Sequence, residues 1–136
     1  MRDILFIAVG GSLGALARHF TNLAAARWLG TSFPYGTLAV NVVGCFIIGV
    51  VAQLLANFDS VSPSANATND LRHSLLRHGI AVGFLGALTT FSSLGLETWR
   101  LGGAGEGTAA AVNIVANLLL GILAVGLGLS LARWLT

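Results

Sequence analysis

The sequence predicts an all-α membrane protein with four transmembrane helices, the third of them broken, and three observations predict it. Of the 136 residues, 55% are hydrophobic and 9% are charged, whereas a soluble domain carries about 25% charged residues. Mean hydropathy is +0.84. The charges fall so as to leave four apolar stretches, each close to the roughly 20 residues that cross a bilayer as a helix. A soluble helical bundle of this composition would have too few polar residues to cover its surface. The chain reads as one domain over residues 1–136, too short for a second.

The first span is expected over residues 4–28, interrupted by Arg18 and His19. Its Gly10, Gly11, Gly14 and Ala15 place small residues four apart, which lets helix backbones approach closely. The second span is expected over 35–58, with Pro34 just before it, a position that suits a helix start. Residues 59–74 are polar and read as a solvent loop, with a short interfacial helix around 70–77. The third span is expected over 77–100 and the fourth over 107–133, joined by a tight turn at Gly102, Gly103 and Gly105.

The third span holds the chain's most informative stretch. Residues 83–95 contain Gly83, Gly86 and Gly95 together with Thr89, Thr90, Ser92 and Ser93, and no charge. Glycine inside a helix costs roughly 1 kcal/mol, and Ser and Thr compete with the backbone ladder. In lipid each freed N–H or C=O must find a partner, so a break survives only inside protein or along a wet path. The stretch is therefore a candidate helix break at membrane depth; an intact helix packed through its small residues is the alternative reading.

The polar residues inside the spans are few. Thr37 and Asn41 lie one turn apart on one face, and Asn113, Asn117 and Gly121 form a second stripe. Each asparagine is either interhelical glue or the lining of a path. Arg18 follows the uncharged residues 4–17 and either snorkels to the interface or draws anions into a vestibule. Phe91 is a packing residue or, through its electropositive ring edge, an anion contact. Neutral donors without a deep cation suit the passage of a small, strongly hydrated anion, because they replace water without trapping the ion.

Several function classes are excluded. All seven basic residues are arginines, without basic runs or stacking aromatics, so nucleic acid is not an expected partner. Ser-His-Asp and clustered His/Cys/Asp arrangements are absent, so no enzyme is expected. No small-residue cleavage site follows a charged start, so no removable leader is expected. Cys45 reads as a packing residue, and His73 and His78 as solvated. Asp3 and Glu97 read as span-end carboxylates. A small four-helix proton-coupled drug transporter, the runner-up, needs an acid deep in the membrane. A structural subunit without transport is a third possibility.

Four spans put both termini on one side of the membrane. Arg2, Arg72, Arg77 and Arg133 then face Arg18, Arg27 and Arg100 across it. So flat a bias fixes no orientation; with Arg18 too deep to count, the bias is instead four to two and favours an inward N-terminus. Insertion both ways up, with an antiparallel homodimer as its consequence, would supply the inverted symmetry seen inside longer transporters.

At these residues the sequence resembles the CrcB/Fluc fluoride channels over nearly its whole length. Residues 10–15 with Arg18 look like that family's first-helix signature, residues 34–37 with Asn41 and Gly44 like the second, and residues 83–92 like the third. Each is weak alone; the three in this order within four spans are specific. The resemblance implies an antiparallel, dual-topology homodimer in the cell's inner membrane, exporting fluoride passively through two pores. It implies a central structural sodium ion held by the backbone carbonyls of Gly86 and Thr89 from both copies. It makes Asn41, Phe91, Ser92, Ser93 and Asn117 pore residues and Arg18 a vestibule residue. One departure stands out. Leu94 occupies the place of the family's second phenylalanine, which implies an altered pore or pairing with a paralogue.

Overall fold

The computed structural model describes residues 1–61 and 67–136. The described elements are helices: α1 (Arg2–Leu29), α2 (Tyr35–Val61), α3 (Ala67–Ser74), a π-helical segment (Leu75–Leu85), α4 (Gly86–Leu88), α5 (Phe91–Gly103) and α6 (Gly107–Leu135). Four runs are long and apolar enough to cross a membrane: Arg2–Leu29, Tyr35–Phe58, Asp70–Gly103 and Gly107–Leu135. The chain is a multi-pass membrane protein.

Glycines set how closely the helices approach. On α1 only Gly10 and Gly14 are buried. A Cβ at Gly10 would overlap the carbonyl of Gly79, and one at Gly14 the carbonyl of Phe84. The expected small-residue seam is thus Gly10 with Gly14, pressed on the π-helical segment. Gly11 and Ala15 do not share it: a Cβ at Gly11 would come no nearer than 3.9 Å to the Gly83 carbonyl, and Ala15 is exposed. A second seam joins α2 to α6. A Cβ at Gly49 would meet the carbonyl of Val125, and one at Gly128 that of Phe46. The stripe predicted from Asn113, Asn117 and Gly121 continues through Ala124, Gly128 and Ala132, all buried.

Between the second and third spans sits a small apolar core of Val40, Leu85 and Leu88, with Ile47, Ile80 and Phe84 packed on it. The outer faces carry exposed Leu13, Phe20, Leu119 and Leu127, as expected of helices solvated by lipid rather than water.

Three local expectations need correction. The polar stretch 59–74 is not a plain loop. α2 continues to Val61, and helix resumes at Ala67 and runs without a gap into the third span; residues 62–66 lie outside those described. No separate interfacial helix forms over 70–77. Second, Gly102 and Gly103 remain helical. The turn falls at Ala104 and Gly105, where Glu106 N donates to Leu101 O at 2.9 Å and Gly105 N to Gly102 O at 3.1 Å. That pairing is a Schellman closure, and it needs the left-handed φ of 82° that Gly105 supplies. Third, His78 is not merely solvated: its Nδ1 lies 3.6 Å from Asp3 Oδ1 and 3.3 Å from Ser74 Oγ. With the Ser74–Asp3 hydrogen bond and the Arg2–Asp70 ion pair of 2.7 Å, this cluster fastens the start of α1 to the start of the third span.

Candidate functional site: a broken helix closed by an asparagine

The break lies at Thr89 and Thr90. Thr89 has φ −78° and ψ 154°, and Thr90 has φ −152° and ψ 115°. Two extended residues therefore separate α4 from α5, as residues 83–95 led one to expect. The preceding turns are π-wound over Leu75–Leu85, which composition did not reveal; such winding is rare overall and frequent at functional sites.

The peptide of Thr90, freed by the break, finds its partner on another helix. Thr90 N donates to Asn41 Oδ1 at 2.8 Å, and Asn41 Nδ2 donates back to Thr90 O at 3.3 Å. Thr90 also caps α5: its Oγ1 accepts from Ser93 N at 3.1 Å, the usual use of a threonine before a helix. Thr90 Oγ1 in turn donates to Ser93 Oγ at 3.1 Å and lies within hydrogen-bond distance of Ser92 Oγ at 3.2 Å. The two backbone donors that an unbroken helix would send to the Gly86 and Thr89 carbonyls are engaged elsewhere. Thr90 N goes to Asn41, and Ser93 N goes to Thr90 Oγ1. α2 can come this close because Gly44 has no side chain; a Cβ there would overlap the Thr89 methyl.

The asparagines continue the network. Asn41 Nδ2 donates to Asn117 Oδ1 at 2.8 Å. Asn117 Nδ2 donates to Asn113 O at 2.8 Å and to Asn113 Oδ1 at 3.1 Å. Asn113 Nδ2 ends on Thr98 Oγ1 at 3.0 Å. Asn113 is wholly buried, and Asn117 nearly so. No ionisable side chain takes part.

A cavity of about 330 Å³ opens on the face of the break, lined by Asn41, Cys45, Gly86, Thr89, Phe91 and Asn117. Phe91 is 83% exposed, so its ring is not a packing element of this chain. Leu94 is buried and forms a shared wall between this cavity and an apolar groove of about 660 Å³ that holds Thr98 and Trp99. A third cavity, about 470 Å³, lies towards the α1–α2 and α5–α6 turns and is lined by Asn22, Thr37, Glu97 and Arg100 among others.

The structure thus brings Asn41, Asn117, Ser92, Ser93, Gly86, Thr89 and Phe91 to one place. It does not bring Arg18 there. Arg18 is half-buried on α1, borders none of these cavities, and makes no hydrogen bond or ion pair among the described residues. Thr37 does not share the cluster either: its buried hydroxyl donates to Glu97 Oε1 at 2.7 Å. Glu97 is drawn inward by that bond, and its Oε2 is buried without a hydrogen-bond partner. Sequence reasoning named neither Thr90 as the centre of the break nor Thr98 as the end of the network. The hydroxyl-rich composition pointed to the first; nothing pointed to the second.

The family of CrcB-like proteins, described as camphor resistance (CrcB), matches residues 5–129. This chain belongs to the CrcB family. Among CrcB relatives, the fluoride-specific ion channel FluC of a Rhizobium etli strain is 43% identical over 98% of both chains. That of Geotalea daltonii is 37% identical over 99% of this chain and 100% of its own. That of Geobacter metallireducens is 41% identical over the same shares. The break and its asparagine therefore sit within the part of the chain that the CrcB family matches.

Proposed function

We propose that this chain is a fluoride-selective channel that lets fluoride leave the cell passively and protects it from fluoride toxicity. The observation that carries the reading is the break itself: neutral donors gathered at membrane depth, with no ionisable group among them, in a chain whose full-length relatives are named fluoride-specific channels. Amide and hydroxyl donors replace the hydration of a small anion, and without a fixed cation the ion leaves again. The exposed ring of Phe91 offers its electropositive edge to the same cavity. The chain is a channel and not an enzyme.

The working unit is an antiparallel homodimer in the cell's inner membrane. The near-even arginine count and the open break cavity favour it. A sodium ion fits the donor set at the dimer centre. Gly86 and Thr89 carbonyls have lost their helical donors, Gly86 is exposed, and carbonyl oxygens suit a hard cation. When bound, that ion supplies positive charge that braces the two copies and favours anions nearby. Leu94 favours a second pairing, with a paralogue that supplies the missing aromatic.

Purified chain in liposomes decides the matter. Fluoride release with chloride retained supports the channel, and release from this chain alone supports the homodimer. A sealed vesicle, with well-incorporated dimer, refutes the channel.

A further inference from the structure

The asparagine network runs in one direction, and two backbone groups fix that direction. A backbone N–H only donates, so Asn41 must present Oδ1 to Thr90 N and Nδ2 to Asn117. Asn117 must then present Oδ1 to Asn41. Its Nδ2 faces Asn113 O, which only accepts, so the orientation is fixed a second time. Asn113 Oδ1 receives the other Asn117 hydrogen, and Asn113 Nδ2 faces Thr98 Oγ1. Every amide dipole points from the break towards Thr98, and hydrogen bonds in a row polarise one another.

Thr98 is the end of the row, and it is an acceptor there. Its own hydroxyl hydrogen has no partner among the described residues. Ser12, Thr21 and Thr89 send theirs to the carbonyl four residues back, at 2.8, 2.8 and 2.9 Å; Thr98 does not. It borders the groove that holds Phe91, Leu94 and Trp99, one helical turn beyond Leu94 on the same face of α5. Phe91, Leu94 and Leu118 border both this groove and the break cavity.

We propose that the Thr98 hydroxyl is an anion-binding donor of the conduction path, the station reached after Phe91 on passing Leu94. The inference rests on the channel reading above. Leu94 contributes no ring edge, and the polarised hydroxyl one turn further on supplies the polar contact instead. Asn113 and Asn117 are positioning residues for it: they hold the Thr98 oxygen as an acceptor and so turn its hydrogen to the groove.

The test compares fluoride efflux from liposomes for the natural chain, Thr98→Val and Thr98→Ser. Thr98→Val should release fluoride at least about tenfold more slowly, the change that loss of one hydrogen bond to a charged group brings, and should half-saturate at higher fluoride. Thr98→Ser, which keeps the hydroxyl, should stay close to the natural rate. Equal rates for Thr98→Val and the natural chain, or equal losses in both variants, overturn the proposal. No fluoride release from the natural chain refutes the channel reading itself and not this step alone. A second measurement keeps Thr98 in place. In a Trp28→Phe/Trp134→Phe chain, Trp99 is the remaining tryptophan, and its emission should change saturably with fluoride at the concentrations that saturate flux. Emission indifferent to fluoride overturns the proposal even if Thr98→Val fails to fold.

Discussion

The side chain of Asn41 completes the peptide of Thr90 as a neighbouring strand would. It accepts from Thr90 N at 2.8 Å and donates to Thr90 O at 3.3 Å. A helix can come apart within lipid only if such a partner is at hand, so a side chain on the second span licenses the break in the third.

Asn41→Ala strips both partners from a buried peptide and leaves Asn117 Oδ1 unpaired. Each unsatisfied group costs about 1–3 kcal/mol. The variant should unfold at clearly lower temperature than the natural chain in detergent, and thermal denaturation checks it. Asn41→Asp keeps the acceptor but turns a carboxylate oxygen on the Thr90 and Asn117 oxygens, and should be no more stable than Asn41→Ala.

The break was legible in the sequence because glycine and hydroxyl residues crowd residues 83–95 without a charge. Its position at Thr89 and Thr90 was not, since several of those residues could equally have taken the extended conformation; the asparagine on another helix selects them. Asn41 and Asn117 stood out because an amide inside an apolar span has few uses. Thr98 did not, because a threonine normally satisfies itself on its own helix, and Thr37, grouped with Asn41, turns to Glu97 instead. The π winding of Leu75–Leu85 lies against α1 at Gly10 and Gly14, a tertiary contact that local composition does not carry.

Gly14 and Gly11 should respond differently to alanine. At Gly14 the added Cβ collides with the Phe84 backbone, whereas at Gly11 its nearest neighbour is 3.9 Å away. Overpacking costs about 1–3 kcal/mol, so Gly14→Ala should lower the unfolding midpoint, and Gly11→Ala should leave it close to the natural value.

Dual insertion predicts that a thiol at the α5–α6 turn faces both sides of the membrane. Gly103 has nothing within 4 Å of an added Cβ. In a Cys45→Ser background, Gly103→Cys should react with an impermeant thiol reagent from outside whole cells to about half, as a flat arginine bias gives. Labelling of nearly all copies, or of none, would count against antiparallel pairing.

Sodium removal should act through the backbone carbonyls of Gly86 and Thr89, whose helical donors are engaged elsewhere. Exchange into a large organic cation should lower the unfolding temperature and the share of dimer by size-exclusion chromatography, and sodium should restore both. Indifference to sodium would remove the ion from the account.

The proposed function makes the neutral donors held at the helix break the conductors of fluoride. Its most direct test is fluoride-electrode recording of efflux from liposomes that hold equal fluoride and chloride, with the natural chain and Asn41→Ala side by side. The natural chain should release fluoride rapidly with chloride retained, and Asn41→Ala should release it at least about a hundredfold more slowly, from the loss of two hydrogen bonds. Release of both halides by the natural chain, or equal fluoride release by the two proteins, would contradict it.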